Sequence, residues 1–263
     1  MIMNNYHTHT IFCDGKNTAE EMVKAAIKAG SKEIGFTGHS YLKDDPSWTM
    51  SPENERLYKE EIGRLKEKYK GKIDIYLGIE QDYMSSPAVG YEYILGSVHC
   101  LYKDGHYISL DDTPELLKEA IRLYYNNDPY ALCEDYYETV SHLYEKTKCQ
   151  IIGHFDLITK FNEKDFLIDT KNERYRKAAK KALYNLIDTP AVFEINYGAI
   201  SRGYRSIPYP EPFILSILSG AGKPVILSSD AHSDKTLLYG FEEGERLIKE
   251  YNLNRLESFQ EFS

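Results

Sequence analysis

The sequence contains no pair of cysteines spaced as C-x-x-C. Its four cysteines, Cys13, Cys100, Cys133 and Cys149, stand alone. That excludes a zinc ribbon or a redox dithiol and fits reduced thiols acting as small buried side chains. No apolar run approaches the ~20 residues needed to cross a bilayer. The N-terminus, MIMNNYHTHTIFCDG, lacks the basic and apolar segments of a secretory signal, so a cytoplasmic location with no membrane contact is expected. Positive charge is also scarce. Lys and Arg total 32 against 41 Asp and Glu, a net charge of −9, and the broad basic surface that tracks a nucleic acid backbone is missing. An anionic substrate is still allowed, because bound divalent cations can make one pocket positive. Neither G-x-G-x-x-G nor G-x-x-x-x-G-K-[ST] occurs, which removes the usual phosphate-loop folds. Repeats, low-complexity tracts and Gly/Ser linkers are absent as well, and the 263 residues read as one domain over 1–263. Oligomeric state has no signature in the sequence.

What recurs is a short apolar segment followed by a helical stretch. The apolar segments lie at Glu33–Thr37, Ile73–Ile79, Tyr93–Val98, Gln150–Ile152, Val192–Ile195 and Pro224–Leu227, with a first strand expected through Met1–His7. They are short and partly β-branched or aromatic, which favours strands. Helical patterns cover Thr18–Ala29, Pro52–Tyr69, Thr113–Asn126, Tyr130–Lys146, Asn172–Ile187, Glu211–Ser219 and Lys235–Tyr251. Thr18-x-x-Glu21 forms a capping box, and Pro52 and Pro114 suit a first helical turn. About seven strands alternating with helices imply an α/β protein with a largely parallel sheet. At this length a closed, TIM-like β/α barrel is the leading architecture and an open doubly wound sheet the alternative.

The histidines are not scattered. Of eight, six directly follow apolar segments: His7 and His9 in NNYHTHT, His39 in FTGHS, His99 in LGSVH, His154 in IIGHFD and His232 in SSDAH. Glu80 in YLGIE and Asp230 in SSDAH share that placement, and Asp14 follows the first strand in FCDG. In a β/α barrel the C-terminal strand ends converge on one face, so residues far apart in sequence can meet there. His7-x-His9 carries its own geometry, because strand side chains alternate with period two and both rings then project to one face. The same alternation is expected for Asp230-x-His232. Imidazole and carboxylate together suit zinc, manganese or iron. Nine candidate ligands exceed the need of one ion, which implies two or three divalent ions with a carboxylate such as Glu80 bridging. Such a site activates water and neutralises phosphoryl oxygens, the chemistry of a metal-dependent hydrolase.

Taken together, H-T-H-T…C-D-G, F-T-G-H-S, L-G-I-E, G-S-V-H, I-I-G-H-F-D and S-S-D-A-H, in this order and across nearly the whole chain, resemble the PHP family, the polymerase-and-histidinol-phosphatase domain. The length, E-I-N-Y-G-A and L-D-D-T-P-E look most like its histidinol-phosphate phosphatases. The resemblance implies a distorted seven-stranded barrel with a trinuclear site. One ion would take His7, His9, Glu80 and Asp230, a second Glu80, His99 and His154, and a third Asp14, His39 and His232. It implies phosphate-clamping basic residues at Lys160 and Arg202, with Arg205 near. Lysine would act there as a point charge rather than as the planar fork of an arginine. The activity implied is hydrolysis of L-histidinol phosphate to L-histidinol and phosphate in histidine biosynthesis. Asp230 and His232 are candidates to relay a proton to the leaving group. Another small phosphate ester, or nucleic acid ends, are the alternative substrates; a non-catalytic metal-binding module is a further one. The loops Tyr41–Pro52 and Tyr197–Pro210 are expected to wall the pocket. Asp82, Asp156 and Glu194 are possible partners for a substrate amine, and His106 and His142 fall outside the motifs.

Overall fold

The computed structural model describes residues 3–263. The first helix, α1 (Ala19–Ala29), starts where its capping chemistry dictates. The Thr18 hydroxyl accepts the Glu21 N–H, and the Glu21 carboxylate accepts the Thr18 N–H at 2.8 Å. β1 (Glu33–Phe36), α2 (Pro52–Lys68), β2 (Asp74–Asp82) and β3 (Tyr93–Ser97) follow. Next come a small hairpin of β4 (Cys100–Lys103) and β5 (His106–Ser109), then α3 (Pro114–Tyr124), α4 (Pro129–Ser141), α5 (Leu143–Thr147) and β6 (Ile151–Ile152). The C-terminal part runs α6 (Asn162–Asp165), α7 (Glu173–Ile187), β7 (Val192–Asn196), α8 (Gly198–Ser201), α9 (Pro212–Gly220), β8 (Pro224–Ser228), α10 (Phe241–Tyr251) and β9 (Asn254–Arg255).

Seven strands form one parallel sheet in the order β1-β2-β3-β6-β7-β8-β9, curled into a half-barrel. Strand alternation sorts its two faces. Leu95, Ile151, Val192 and Ile226 pack inward with Tyr6, Tyr93 and Phe259. Gly78 makes room for this layer, since a Cβ there would lie 2.4 Å from the Tyr93 ring. Phe193, Val225 and Leu227 face the other way, into the core beneath the helices. Two residues beyond Gly78 and Val192, the same alternation carries Glu80 and Glu194 to the inner face, both buried. The sheet therefore changes from an apolar layer to an acidic one toward its C-terminal strand ends.

Several sequence expectations need correction. No regular strand forms within 3–7, and residues 1–2 of the expected Met1–His7 strand lie outside the described residues. Instead an extended segment makes parallel bridges, Asn5 to Ile34 on one side and Thr8 to Ala231 on the other. The Tyr130–Lys146 pattern divides into α4 and α5 at the exposed His142. The Lys235–Tyr251 pattern keeps only α10, because Gly240 (φ 79°) turns the chain just before it. The β4–β5 hairpin lies in a stretch read as connection.

Candidate metal centre

Eight of the nine singled-out residues converge beyond the C-terminal strand ends as one buried or largely buried cluster, and exposed Asp14 joins it at the rim. Glu80, on β2, is at the centre. Its Oε2 lies 3.2 Å from His7 Nε2, 3.5 Å from His9 Nε2 and 2.9 Å from His39 Nδ1. Its Oε1 lies 3.3 Å from His99 Nε2 and 2.9 Å from His154 Nε2. Asp230 Oδ1 is 3.3 Å from His9 Nε2 and 3.6 Å from His7 Nε2. Asp14 reaches His39 Nε2 at 3.5 Å and His232 Nε2 at 3.1 Å. His7 and His9 share a face as their spacing requires. Asp230 and His232 meet the cluster by another route: the chain has left β8, and Asp230 takes a left-handed conformation, φ 48°, rather than the strand alternation expected. Gly198 permits this, for a Cβ there would meet Asp230 Oδ2 at 2.5 Å.

Three sets of ligand atoms each lie within 4.8 Å of one another: His9, Asp14, His39 and His232; His7, His9 and Asp230; and His39, Glu80 and His99. Ligand atoms roughly 2.1 Å from a common ion would stand about 3.0–3.4 Å apart, close to the separations seen. The buried His9 Nε2 and His39 Nδ1 make no hydrogen bond despite the adjacent carboxylates. Buried polar atoms without hydrogen bonds are rare, and nitrogens aimed between carboxylate oxygens fit cation ligation.

Electrostatics agree with such a site. Burial opposes ionisation of Glu80, but the His7, His39 and His99 rings hold its carboxyl well below the ordinary range. For Asp230, burial is likewise outweighed, first by Arg202 and then by His7. Burial, followed by repulsion from His232 and His39, pushes His9 down to about 3. For His7 and His99 burial is outweighed by the carboxylates of Glu194 and Glu80 respectively, which push both rings up; His9 is the ring of the three held in the neutral form, the state in which imidazole ligates metal.

Supporting residues fix the candidate ligands. Glu194 Oε2 takes His7 Nδ1 at 2.9 Å and the Ser228 hydroxyl at 2.6 Å, while Oε1 accepts the His154 and Asn196 N–H groups. Asp82 Oδ2 accepts the His99 backbone N–H at 2.7 Å and faces its Nδ1 at 3.2 Å. Glu194 and Asp82 thus orient histidines, and neither lines the cavity; nor does Asp156, which accepts the Glu211 N–H. The signal in the sequence was the acid itself, since VFEIN places a charge within a buried parallel strand.

A cavity of about 360 Å³ opens over the cluster, lined by Asp14, His39, Glu80, His99, His154, Asp230 and His232. Lys160 and Arg202 both line it. Arg202 Nη2 donates to Asp230 Oδ2 at 3.0 Å. Arg205 does not reach the cavity: it donates to Thr159 and Glu211 and lies over the Tyr209 ring. The two expected loops do form walls, through Asp45, Ser47 and Trp48 from the first and Arg202 and Tyr204 from the second. Asp111 and Asp112, from the L-D-D-T-P-E stretch but not expected at the site, also line it, with Ser109 and Leu157. His106 and His142 are exposed and have other neighbours, Tyr124 for His106 and Glu138 and Glu145 for His142.

Fold and site together define an α/β half-barrel protein with a buried histidine–carboxylate centre at its strand ends. The chain belongs to the PHP domain family, whose model matches residues 5–198. A curated relative, the "Probable histidinol-phosphatase" of Schizosaccharomyces pombe, is 28% identical over 250 residues, 86% of this chain and 79% of the relative. The solved "putative histidinol phosphatase" of Listeria monocytogenes superposes with a TM-score of 0.80 at 23% identity, covering 91% of this chain and 99% of that one. The histidinol phosphate phosphatase of Lactococcus lactis, solved with zinc, L-histidinol and phosphate, gives 0.70 at 21% identity, over 97% of this chain and 95% of that one.

Proposed function

We propose that this protein is a metal-dependent phosphomonoesterase that converts L-histidinol phosphate and water to L-histidinol and phosphate, in the cytoplasm. The observation that carries the reading is the junction of the nine-residue histidine–carboxylate cluster with two basic side chains, Lys160 and Arg202, around one cavity. Family membership and the zinc, L-histidinol and phosphate bound by the Lactococcus lactis structure support it. The ligands are His7, His9, Asp14, His39, Glu80, His99, His154, Asp230 and His232, holding two or three divalent ions of zinc, manganese or iron. The sets found together favour letting His9 contribute beside Asp14, His39 and His232, where the sequence reading grouped it with His7, Glu80 and Asp230 alone. The Asn5–Thr8 segment, bridged on both sides, supports a fully closed seven-stranded barrel over 1–263.

Divalent ions would supply Lewis acidity, lowering the pKa of a water and neutralising phosphoryl charge. The chain supplies the rest. Glu80 is placed to bridge, with three histidine nitrogens near one oxygen and two near the other. Lys160 and Arg202 are placed to clamp phosphoryl oxygens. His232 Nδ1 lies 3.0 Å from both the Asp230 carbonyl and Arg202 Nη1, which fixes the ring beside the arginine, and its Nε2 faces Asp14 at 3.1 Å. Asp230 and His232, which both line the cavity, are the two candidates for relaying the leaving-group proton.

The test is a comparison of kcat/KM for L-histidinol phosphate and p-nitrophenyl phosphate with metals controlled. The second ester has the better leaving group, so chemistry alone favours it. Preference for L-histidinol phosphate by about 100-fold, roughly 2.7 kcal/mol, would place the recognition energy in the imidazole and amine. Equal rates would remove it as the substrate, and no turnover with any metal would remove the enzyme reading.

A further inference from the structure

Lys160 is an unusual clamp, because lysine is a flexible point charge that ordinarily surrenders considerable rotamer freedom when it is fixed. Here it is already held. Its Nζ donates to the Asp111 carbonyl at 2.5 Å and to Asp111 Oδ2 at 3.2 Å. The ammonium lies 4.9 Å from the Tyr204 ring centroid and 5.4 Å from that of Phe161, and the residue is buried. An ammonium has three donors. Asp111 occupies two, which leaves one for the cavity that Lys160, Asp111 and Tyr204 all line. Asp111 is itself anchored to the metal centre through the chain, since the preceding Leu110 N–H donates to the His99 carbonyl at 2.9 Å.

We propose that Asp111 is a positioning residue that presets Lys160 for the phosphoryl group, so that a lysine performs the fixed-geometry task for which an arginine would use its fork. The proposal rests on the phosphatase reading. A carboxylate near a phosphate also repels it, so the two effects of Asp111 have opposite signs and experiment can separate them. If positioning dominates, Asp111→Asn weakens phosphate binding; if repulsion dominates, it strengthens it. Losing a charge-assisted partner of the clamp should cost roughly tenfold, expressed mainly in KM because the ground state also carries the phosphoryl group.

The experiment uses metal-loaded protein and two readouts, steady-state hydrolysis of L-histidinol phosphate and calorimetric binding of inorganic phosphate. Asp111→Asn is expected to raise KM and the phosphate Kd by roughly tenfold, with kcat changed much less. Asp111→Glu should restore part of the loss by returning the charge. In a Lys160→Met background, Asp111→Asn should weaken phosphate binding no further, and should tighten it slightly as only repulsion is then removed, since residues acting through one contact are not additive. Unchanged or tighter phosphate binding in Asp111→Asn overturns the proposal, as do fully additive effects in the double variant. If the parent hydrolyses no phosphomonoester, the phosphatase reading fails. The phosphate-binding cycle then still decides whether Asp111 acts through Lys160.

Discussion

An ionised acid inside a buried strand must be held by several donors, and Glu194 has four: His7 Nδ1, the Ser228 hydroxyl, the Asn196 amide and the His154 backbone N–H. Glu194→Gln keeps the shape but loses the charge that orients the His7 ring. We expect metal affinity to fall about 10- to 100-fold in a competition titration against a chelator; parent-like affinity would reduce Glu194 to packing. Asp156 behaves oppositely. Burial lifts its carboxyl, Arg205 opposes and Glu211 adds repulsion, leaving it raised to about 7. The folded protein therefore keeps a proton that the unfolded chain releases above ~3.9. The stability tied to that proton is fully present below ~3.9 and is lost as pH rises to about 7. Asp156→Asn, a permanent analogue of the protonated acid, should gain in thermal midpoint relative to the parent as pH rises from about 4 to about 8. A difference that does not vary with pH would contradict this. The histidine–carboxylate cluster was legible because six histidines after apolar segments is a strong pattern. Glu194 and Asp82 were noticed as acids, yet their direction was not legible, since sequence cannot say whether a strand-end acid faces a cavity or a neighbouring ring.

Among the elements, α1 with its Thr18–Glu21 box and the strands β1, β3, β7 and β8 follow closely from local pattern. Misread elements are those governed by one residue's backbone. Gly240 interrupts the pattern before α10. Asp104 and Gly105, both at positive φ (52° and 81°), close the β4–β5 hairpin with a D-G turn whose signature was available in YKDGHY. This hairpin matters to the site. Tyr102 and Tyr107 donate to Asp44 and Asp45, tying it to the loop that brings Trp48 against His39 and His99, at ring separations of 4.6 and 5.1 Å. The short helix α8 gives a sharper test. Gly198 opens it where Asp230 folds against the backbone. Gly198→Ala should leave the thermal midpoint within a few degrees in chelated protein yet cut kcat by ~100-fold or more, because displacing a reacting group by about 1 Å has that effect. Near-parental kcat would mean that Asp230 tolerates movement.

For the molecule as a whole, a largely parallel α/β sheet and the gathering of the candidate residues on one face were legible from the alternation of apolar and helical stretches, and a closed barrel was expected from length, whereas the strand order and the half-barrel form of the sheet were not legible. The first segment carries no strand-length apolar pattern, and one of its two bridge partners, Ala231, lies at the other end of the chain. Its neighbourhood gathers Glu80, Asp230 and Asp14 among neutral and charged rings, so cations that bind the folded chain but not the unfolded one should stabilise it. At 100-fold excess over Kd the gain is about 2.7 kcal/mol. Chelation should therefore lower the thermal midpoint by several degrees and restoration of zinc or manganese should return it; a midpoint indifferent to metal would contradict the ligand assignment. The bridged Asn5–Thr8 segment also has a consequence in time. Asn5 bonds Ser229 across 224 residues, and Thr8 pairs with Ala231. During synthesis at about 5–20 residues per second, His7 and His9 would wait roughly 10–45 s for Asp230 and His232 to emerge. Until then the chain lacks Asp230 and His232, the last two of the nine candidate ligands, and the residue that Thr8 pairs with.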